Sequence, residues 1–268
     1  MSESLTVDTR KFEDTTEWKA IALKILVGLL LIFLILEVLF YIVYIPATSR
    51  IRLSFEGNTT LGYDELCSLS GIGGLERWLS FDTVQTASLL ASNPLFESVR
   101  IEKKFPDRII VTLQERIPVA ISFGIVKGRT VPFEIDKNGV AFRFGMACSS
   151  NNLPLLTGLT FENPVPGMRL NTQLHSLLND ISQLELHNTA LLSSVSEIKI
   201  VEKTYGGYDL VVYPVHTPIR VRTDKALNEE SLQYMMLVLD VVQDLSLSVD
   251  EIDIRAGTVA YRVKGEQI

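Results

Sequence analysis

The sequence predicts an α+β protein carried on a single N-terminal transmembrane helix, with an extended antiparallel β domain and flanking helices making up most of the chain. Three observations carry that prediction. One long apolar run lies near the N-terminus. After it, strand and helix periodicities come in the order strand, helix, helix, strand, strand. The remainder is rich in short alternating strands and holds two amphipathic helices. With 268 residues, 47% of them hydrophobic, and a mean hydropathy of +0.23, the chain can fill one or two cores.

The apolar run, ILVGLLLIFLILEVLFYIVYI at residues 25–45, is 21 residues long and carries one charge, Glu37. At a 1.5 Å rise per residue it crosses a hydrocarbon layer of about 30 Å. A cleaved signal peptide would have a shorter apolar stretch followed by small residues. Here the run ends in Tyr41, Tyr44, Ile45 and Pro46, so it reads as an uncleaved anchor. Trp18 and the two tyrosines suit the two membrane interfaces. Arg10, Lys11, Lys19 and Lys24 precede the span, against Arg50 and Arg52 just after it. The basic side stays cytoplasmic, which places residues 1–24 in the cytoplasm and about 220 residues beyond the inner membrane, in the periplasm. A carboxylate inside the span costs on the order of 2.5 to 3.5 kcal/mol and normally faces protein, so Glu37 marks a candidate intramembrane contact. The plainer alternative is that the strong hydrophobes around Glu37 carry it across.

The formal charge is −7. Residues 1–45 hold four basic and six acidic residues, leaving 21 basic and 26 acidic outside, so nucleic acid is not an expected partner. Cys67 and Cys148 are the only cysteines; export would permit a disulfide between them, but two cysteines carry no framework signal, and they read as free, at least half-buried thiols. His175, His187 and His216 are the only histidines. With no HExxH, GxSxG, phosphate loop or CxxC, the expectation is no catalytic, cofactor-binding or metal-binding residues.

Residues 46–117 make the first folded unit. In RIRLSFEGN, Ile51, Leu53 and Phe55 alternate with Arg52, Ser54 and Glu56, giving a strand with one buried face. TTLGYDELCSLSG reads as a short helix capped by Thr60, with Asp64 and Glu65 in its first turn and Gly71 at its end. In SFDTVQTASLLASNP, Asp82 caps a second helix with Gln85 three residues later; its stripe is read as Val84, Ala87 and Ala91, and Pro94 stops it. Val99 and Ile101, then Ile109, Val111 and Leu113, form a hairpin about the corner Phe105, Pro106, Asp107 and Arg108.

Residues 118–268 make the β domain. PFEIDKNGVAF is a hairpin cornered on Asn138 and Gly139. A helix over about residues 171–185 runs on Leu174, Leu177, Leu178, Ile181 and Leu184. Strands follow at 197–202, 208–213 and 219–222, then a helix over about residues 228–243. EIDIRAGTVAYRV forms a last hairpin before a short polar tail.

Laid out this way, the chain resembles the FtsQ/DivIB family of bacterial cell-division proteins over nearly its whole length. The similarity is carried by FEGN, by NPLFESVRIEKKFPDRIIVTLQERIPVA, by EIDKNGVAF, by LPLLTG and by EIDIRAGTVAYRV, in that order. PVHTPIRVRTDK departs from the family pattern, and the last hairpin has a shorter corner. The resemblance implies a POTRA-type domain (β-α-α-β-β) at 46–117 and an FtsQ-type β domain at 118–268. It implies a non-enzymatic divisome scaffold at the septum, without cofactors, that binds FtsB- and FtsL-type coiled-coil proteins and helps regulate septal peptidoglycan synthesis.

An unpaired sheet edge is a liability unless a partner strand uses it. GTVAYRV, the last strand, is a natural edge, and by resemblance the partner strand would add there. The residues implied are Arg255 as a polar anchor and Thr258, Val259, Ala260, Tyr261 and Arg262 as the platform, Tyr261 being the large contact. The competing reading is that Val259, Tyr261 and Val263 face the core and Arg255 is a solvated charge. A second surface, implied for recruitment, comprises Arg100, Lys103, Lys104 and Arg108 at the first hairpin; the equal alternative is a charge run that is simply solvated at a hairpin tip. The alternative function is a POTRA-bearing envelope assembly or translocation factor binding client polypeptides; such factors usually carry several repeats, and no internal repeat is present.

Overall fold

The structure, a computed structural model, describes residues 10–73, 76–148 and 152–263. The chain divides into two compact units: Met1–Gly57, Leu61–Leu89 and Val99–Thr112 in the first, and Asn58–Thr60, Leu90–Ser98 and Leu113–Ile268 in the second.

The first unit begins with α1 (Arg10–Leu39), continued by a π-helical turn over Phe40–Tyr44 and by α2 (Ile45–Thr48). Pro46 follows the π-helical turn directly and has no N–H to donate back into the continuing helix. The stretch Trp18–Thr48 is long and apolar enough to cross a membrane, with mean hydropathy 3.0, and it contains the expected span at 25–45. Then come β1 (Arg52–Asn58), α3 (Tyr63–Ser70), α4 (Thr83–Ala91), β2 (Phe96–Lys104) and β3 (Arg108–Glu115). The three strands form one sheet in the order β1-β3-β2. Ile109, Val111 and Leu113 are fully buried, as their alternation requires. Gly71 ends α3 with φ +68°, a left-handed position that glycine takes without a Cβ penalty.

Two local expectations are corrected. Thr60 does not cap α3, whose first turn starts from Gly62. Its backbone N–H instead donates to the Glu115 carboxylate at 2.7 Å, and its hydroxyl donates to the same group. Asp82 does cap α4, accepting from Val84 and Gln85 N–H. The buried stripe of α4, however, runs through Thr86 and Leu90, while Val84 is 77% exposed. Thr86 can be buried because its hydroxyl donates to the Asp82 carbonyl.

The second unit is built on β4 (Pro118–Val126), β5 (Arg129–Asp136), β6 (Ala141–Phe144), β7 (Leu155–Thr157), β8 (Val195–Glu202), β9 (Tyr208–Pro214), β10 (Arg220–Thr223), β11 (Val249–Asp253) and β12 (Ala260–Val263). With them come α5 (His175–His187), α6 (Thr189–Leu192) and α7 (Glu229–Asp244). The nine strands make one sheet, ordered β12-β11-β10-β9-β8-β7-β4-β5-β6. Most pairings are antiparallel, as expected; β4 with β7, β7 with β8 and β10 with β11 are parallel. One face of the sheet packs against α5 and α7 in a single apolar core that includes Leu177, Ile181, Leu232, Met235, Ile198 and Ile252. All five leucine and isoleucine positions expected to face inward near α5 are buried.

At the Asn138-Gly139 corner, the Asp136 carboxylate accepts from the N–H groups of Asn138 and Val140, and Gly139 takes φ +71°. Gly158 has no such latitude. Its φ is +85°, and a Cβ there would meet the Ile200 carbonyl oxygen at 2.0 Å. The expected polar tail after β12 lies outside the described residues.

Candidate functional site

A sheet of nine strands has two edges, and they are treated differently. At β6 the neighbouring loop bonds the first residue of the strand: Ala141 N–H donates to the Met168 carbonyl (2.9 Å) and Gly167 N–H to the Ala141 carbonyl (2.7 Å). A bridge between Val140 and Arg169 lies just before the strand. At the other end β12 pairs with β11, and among the described residues no strand follows it. Alternate residues of β12 therefore point their N–H and C=O groups away from the sheet.

Register decides what each β12 side chain faces. Tyr261 is opposite Ile252 and Val263 opposite Val249, both core residues, so Tyr261 and Val263 lie on the side of the sheet that carries the core. Yet Tyr261 is 56% exposed, and Val259 and Val263 are each 45% exposed. The helical layer stops short of the edge strand. What results is an apolar ledge beside an unpaired backbone edge, on the core side of the sheet but not covered by the core.

Arg262, opposite Glu251, lies on the other face. There the charges of three strands interlock: Glu251 pairs with Arg220 (2.7 Å), Arg222 (3.2 Å) and Arg262 (2.9 Å). Lys199 and Tyr213 join Arg220, Arg222 and Glu251 in lining a shallow groove on this face. The reading of the sequence passed over Lys199, Arg220, Arg222 and Glu251. The alternation IRVR at residues 219–222, with Val221 buried, was the available signal.

Two expectations at this edge are corrected. Thr258 and Val259 precede the strand; Thr258 N–H turns back to the Arg255 carbonyl, closing a 3-10 turn over Arg255–Gly257. Arg255 is ion-paired rather than a solvated charge. Its guanidinium pairs with Asp253 (2.5 Å) and with Asp209 (2.6 Å), and Asp209 also meets Lys203 (2.5 Å). Burial opposes ionisation of Asp209, but hydrogen bonds from Lys203 and Arg255 outweigh it and hold that carboxyl below its ordinary value. Arg255 likewise lowers Asp253, and the guanidinium is held more firmly protonated in return, chiefly by Asp253.

At the β2–β3 hairpin the four basic residues are not equivalent. Arg100 approaches Glu102 at 3.7 Å. Lys103 folds back, its ammonium 5.4 Å from the centre of the Trp78 ring and 3.5 Å from the Leu79 carbonyl. Lys104 and Arg108 are exposed at the tip. Glu37 is exposed on α1. His175 opens α5, His187 closes it, and His216 lies between β9 and β10. Among the described residues no cluster of three or more His, Cys, Asp or Glu could hold a metal ion. Both cysteines are free and partly buried, and burial raises the Cys148 thiol above its ordinary value.

Comparison with known proteins bears on both units. The family model "POTRA domain, FtsQ-type" matches residues 51–116. The protein called cell division protein FtsQ of Syntrophotalea carbinolica is 23% identical over 174 residues, covering 65% of this chain and 59% of that one. Its namesake in a Geobacter species is 23% identical over 193 residues, covering 71% and 67%. The Anaeromyxobacter protein of the same name is 28% identical over 160 residues, covering 59% and 52%. The matched stretch thus spans only 59% of the first relative's length. The solved extracytoplasmic domain of the cell-division protein DivIB of Geobacillus stearothermophilus matches 49% of this chain and 97% of its own, at 14% identity and a TM-score of 0.33.

Proposed function

Because this chain belongs to the FtsQ/DivIB family of bacterial cell-division proteins, we propose that it is a non-enzymatic scaffold of the division complex that binds FtsB- and FtsL-type coiled-coil proteins by β-strand addition to β12. Its single apolar helix fits a single-pass inner-membrane protein. In the proposed orientation the N-terminus is cytoplasmic and residues 46–268 are periplasmic, where holding those partners helps regulate septal peptidoglycan synthesis.

The observation that carries the reading is the contrast between the two sheet edges. β6 is bonded at its first residue, Ala141, by the loop at 167–168; among the described residues no strand pairs with the outer side of β12, which is lined by Val259, Tyr261 and Val263, all half-exposed. A partner strand laid against residues 260–263 would satisfy main-chain groups that no described strand bonds, and its apolar side chains would cover the ledge. Tyr261 supplies a large ring with a polar tip at the centre. Arg262 and the other basic groups around Glu251 offer charged contacts on the opposite face, where an acidic partner side chain could share Arg220 or Arg222.

The test is binding of the full chain to FtsB-type periplasmic peptides, with proline placed in turn at Tyr261 and at Arg262. Neighbouring residues of an antiparallel edge strand point their N–H groups in opposite directions, so one proline breaks pairing with β11 and the other removes only an outward donor. The expected result is that the outward proline abolishes binding while the thermal transition of the sheet is kept. Undiminished binding by both variants would move the interface off β12, and a chain that binds unrelated unfolded polypeptides instead would favour an envelope assembly factor.

A further inference from the structure

The first unit carries an aromatic and basic surface that strand addition does not use. At the end of the membrane helix, the Tyr41 ring lies 5.3 Å from the ring of Phe105, at the tip of the β2–β3 hairpin. Phe105 in turn meets Trp78 edge-on at 6.0 Å, and the Trp78 indole N–H donates to the Arg108 carbonyl at 3.1 Å. Leu79 beside it is 59% exposed and Phe105 43% exposed. All of these residues belong to the same compact unit as the membrane helix.

Depth follows from helix geometry. The helical path from Trp18 to Tyr41 measures about 35 Å at 1.5 Å per residue, a little more than a hydrocarbon core of about 30 Å. Trp18 and Tyr41 therefore occupy the two interfacial belts, where such rings are favoured. A residue packed against Tyr41 shares its depth, so Phe105 sits at the boundary between acyl chains and headgroups, with Trp78 and Leu79 beside it.

The charge around this cluster is basic in a chain of net −7. Arg50 is bridged to Arg77, Lys103 lies over Trp78, and Lys104 and Arg108 flank the hairpin turn. Arg52 is matched by Asp107 at 2.9 Å. Lysine and arginine around half-exposed aromatics at headgroup depth are the chemistry that holds a surface to anionic phospholipid.

We infer that the hairpin tip of the first unit, Phe105 with Trp78 and Leu79 ringed by Lys103, Lys104 and Arg108, docks on the anionic headgroup layer of the membrane that its own helix spans. Docking fixes the height and tilt of the unit relative to the bilayer. It assigns Lys103, Lys104 and Arg108 to lipid rather than to a recruited protein.

The test uses the full chain carrying Trp18→Phe, which leaves Trp78 as the sole tryptophan. The protein is placed in phosphatidylcholine nanodiscs with or without phosphatidylglycerol, with acyl chains brominated near the glycerol end or left plain. Trp78 emission should fall by about half in brominated discs containing phosphatidylglycerol, as expected for an indole at the interface. The fall should shrink when Lys104→Glu and Arg108→Glu are combined, or in high salt. Equal emission in brominated and plain discs, with the circular dichroism spectrum unchanged, would overturn the inference. Quenching that ignores both phosphatidylglycerol and the charge reversals would overturn the assignment to anionic headgroups. Neither outcome bears on strand addition at β12, because peptide binding is read separately.

Discussion

The Arg255 guanidinium reaches across 46 residues of sequence to the Asp209 carboxylate at 2.6 Å, tying the corner of the last hairpin to the start of β9. Asp209 is 4% exposed, so the pair is a clamp on the fold before it is anything a partner could take. Replacing Arg255 with alanine removes one of two cations from a buried carboxylate, and Lys203 remains. The expected cost is about 1 to 3 kcal/mol, read as a lowered melting temperature. Partner binding should weaken only as far as the hairpin loosens, and Arg255→Lys should recover part of the stability.

The same cluster sets an acid limit. Asp209 and Asp253 have folded pKa values below their ordinary ones. In the unfolded chain these groups protonate first as pH falls, near about 3.9. Their contribution is therefore fully present above that value and is lost as pH drops through the lower, folded values. Melting curves should fall steeply below about pH 4, and Arg255→Ala should flatten that portion of the profile.

Within the second unit, Arg116 pairs with Asp136 at 2.6 Å and donates to the Pro94 carbonyl at 2.9 Å, while the Asp136 side chain is 2% exposed. Arg116→Ala would leave a buried carboxylate that still holds the 136–140 turn. A loss of about 3 to 5 kcal/mol is expected by chemical denaturation, and less for Arg116→Lys.

Gly158 is the glycine with the least room for a side chain. Any substitution there must move the β8 backbone, because the added carbon meets the Ile200 carbonyl oxygen. Gly158→Ala should cost at least about 3 kcal/mol or prevent folding, whereas Gly128→Ala, with a similar φ but open space around it, should cost about 1 kcal/mol.

Much of this architecture was legible because strand alternation and helical period are local signals. The hairpins at Phe105-Pro106 and Asn138-Gly139, the five inward positions near α5 and the short final strand all follow from residues within one element. What sequence did not carry was set by distant partners. Thr60 has the right chemistry for a cap, but Glu115, 55 residues on, claims its hydroxyl. Val84 fits a helical stripe as well as Leu90 does, and only burial in the folded unit separates them. The three-residue β7 is too short to show a period, so the parallel joints it makes on both sides could not be read. At the candidate site, the edge itself was readable from the alternation in GTVAYRV. The fate of Arg255 was not, since Asp209 lies four elements upstream.

The central claim, that β12 accepts a partner strand, is tested most directly by amide hydrogen exchange of the full chain with and without an FtsB-type peptide. Outward amides among residues 260–263 should slow markedly on addition of peptide, while the Ala141 amide of β6, already bonded to the Met168 carbonyl, stays unchanged. Unchanged exchange in β12, with new protection at residues 100–108 or elsewhere, would contradict it.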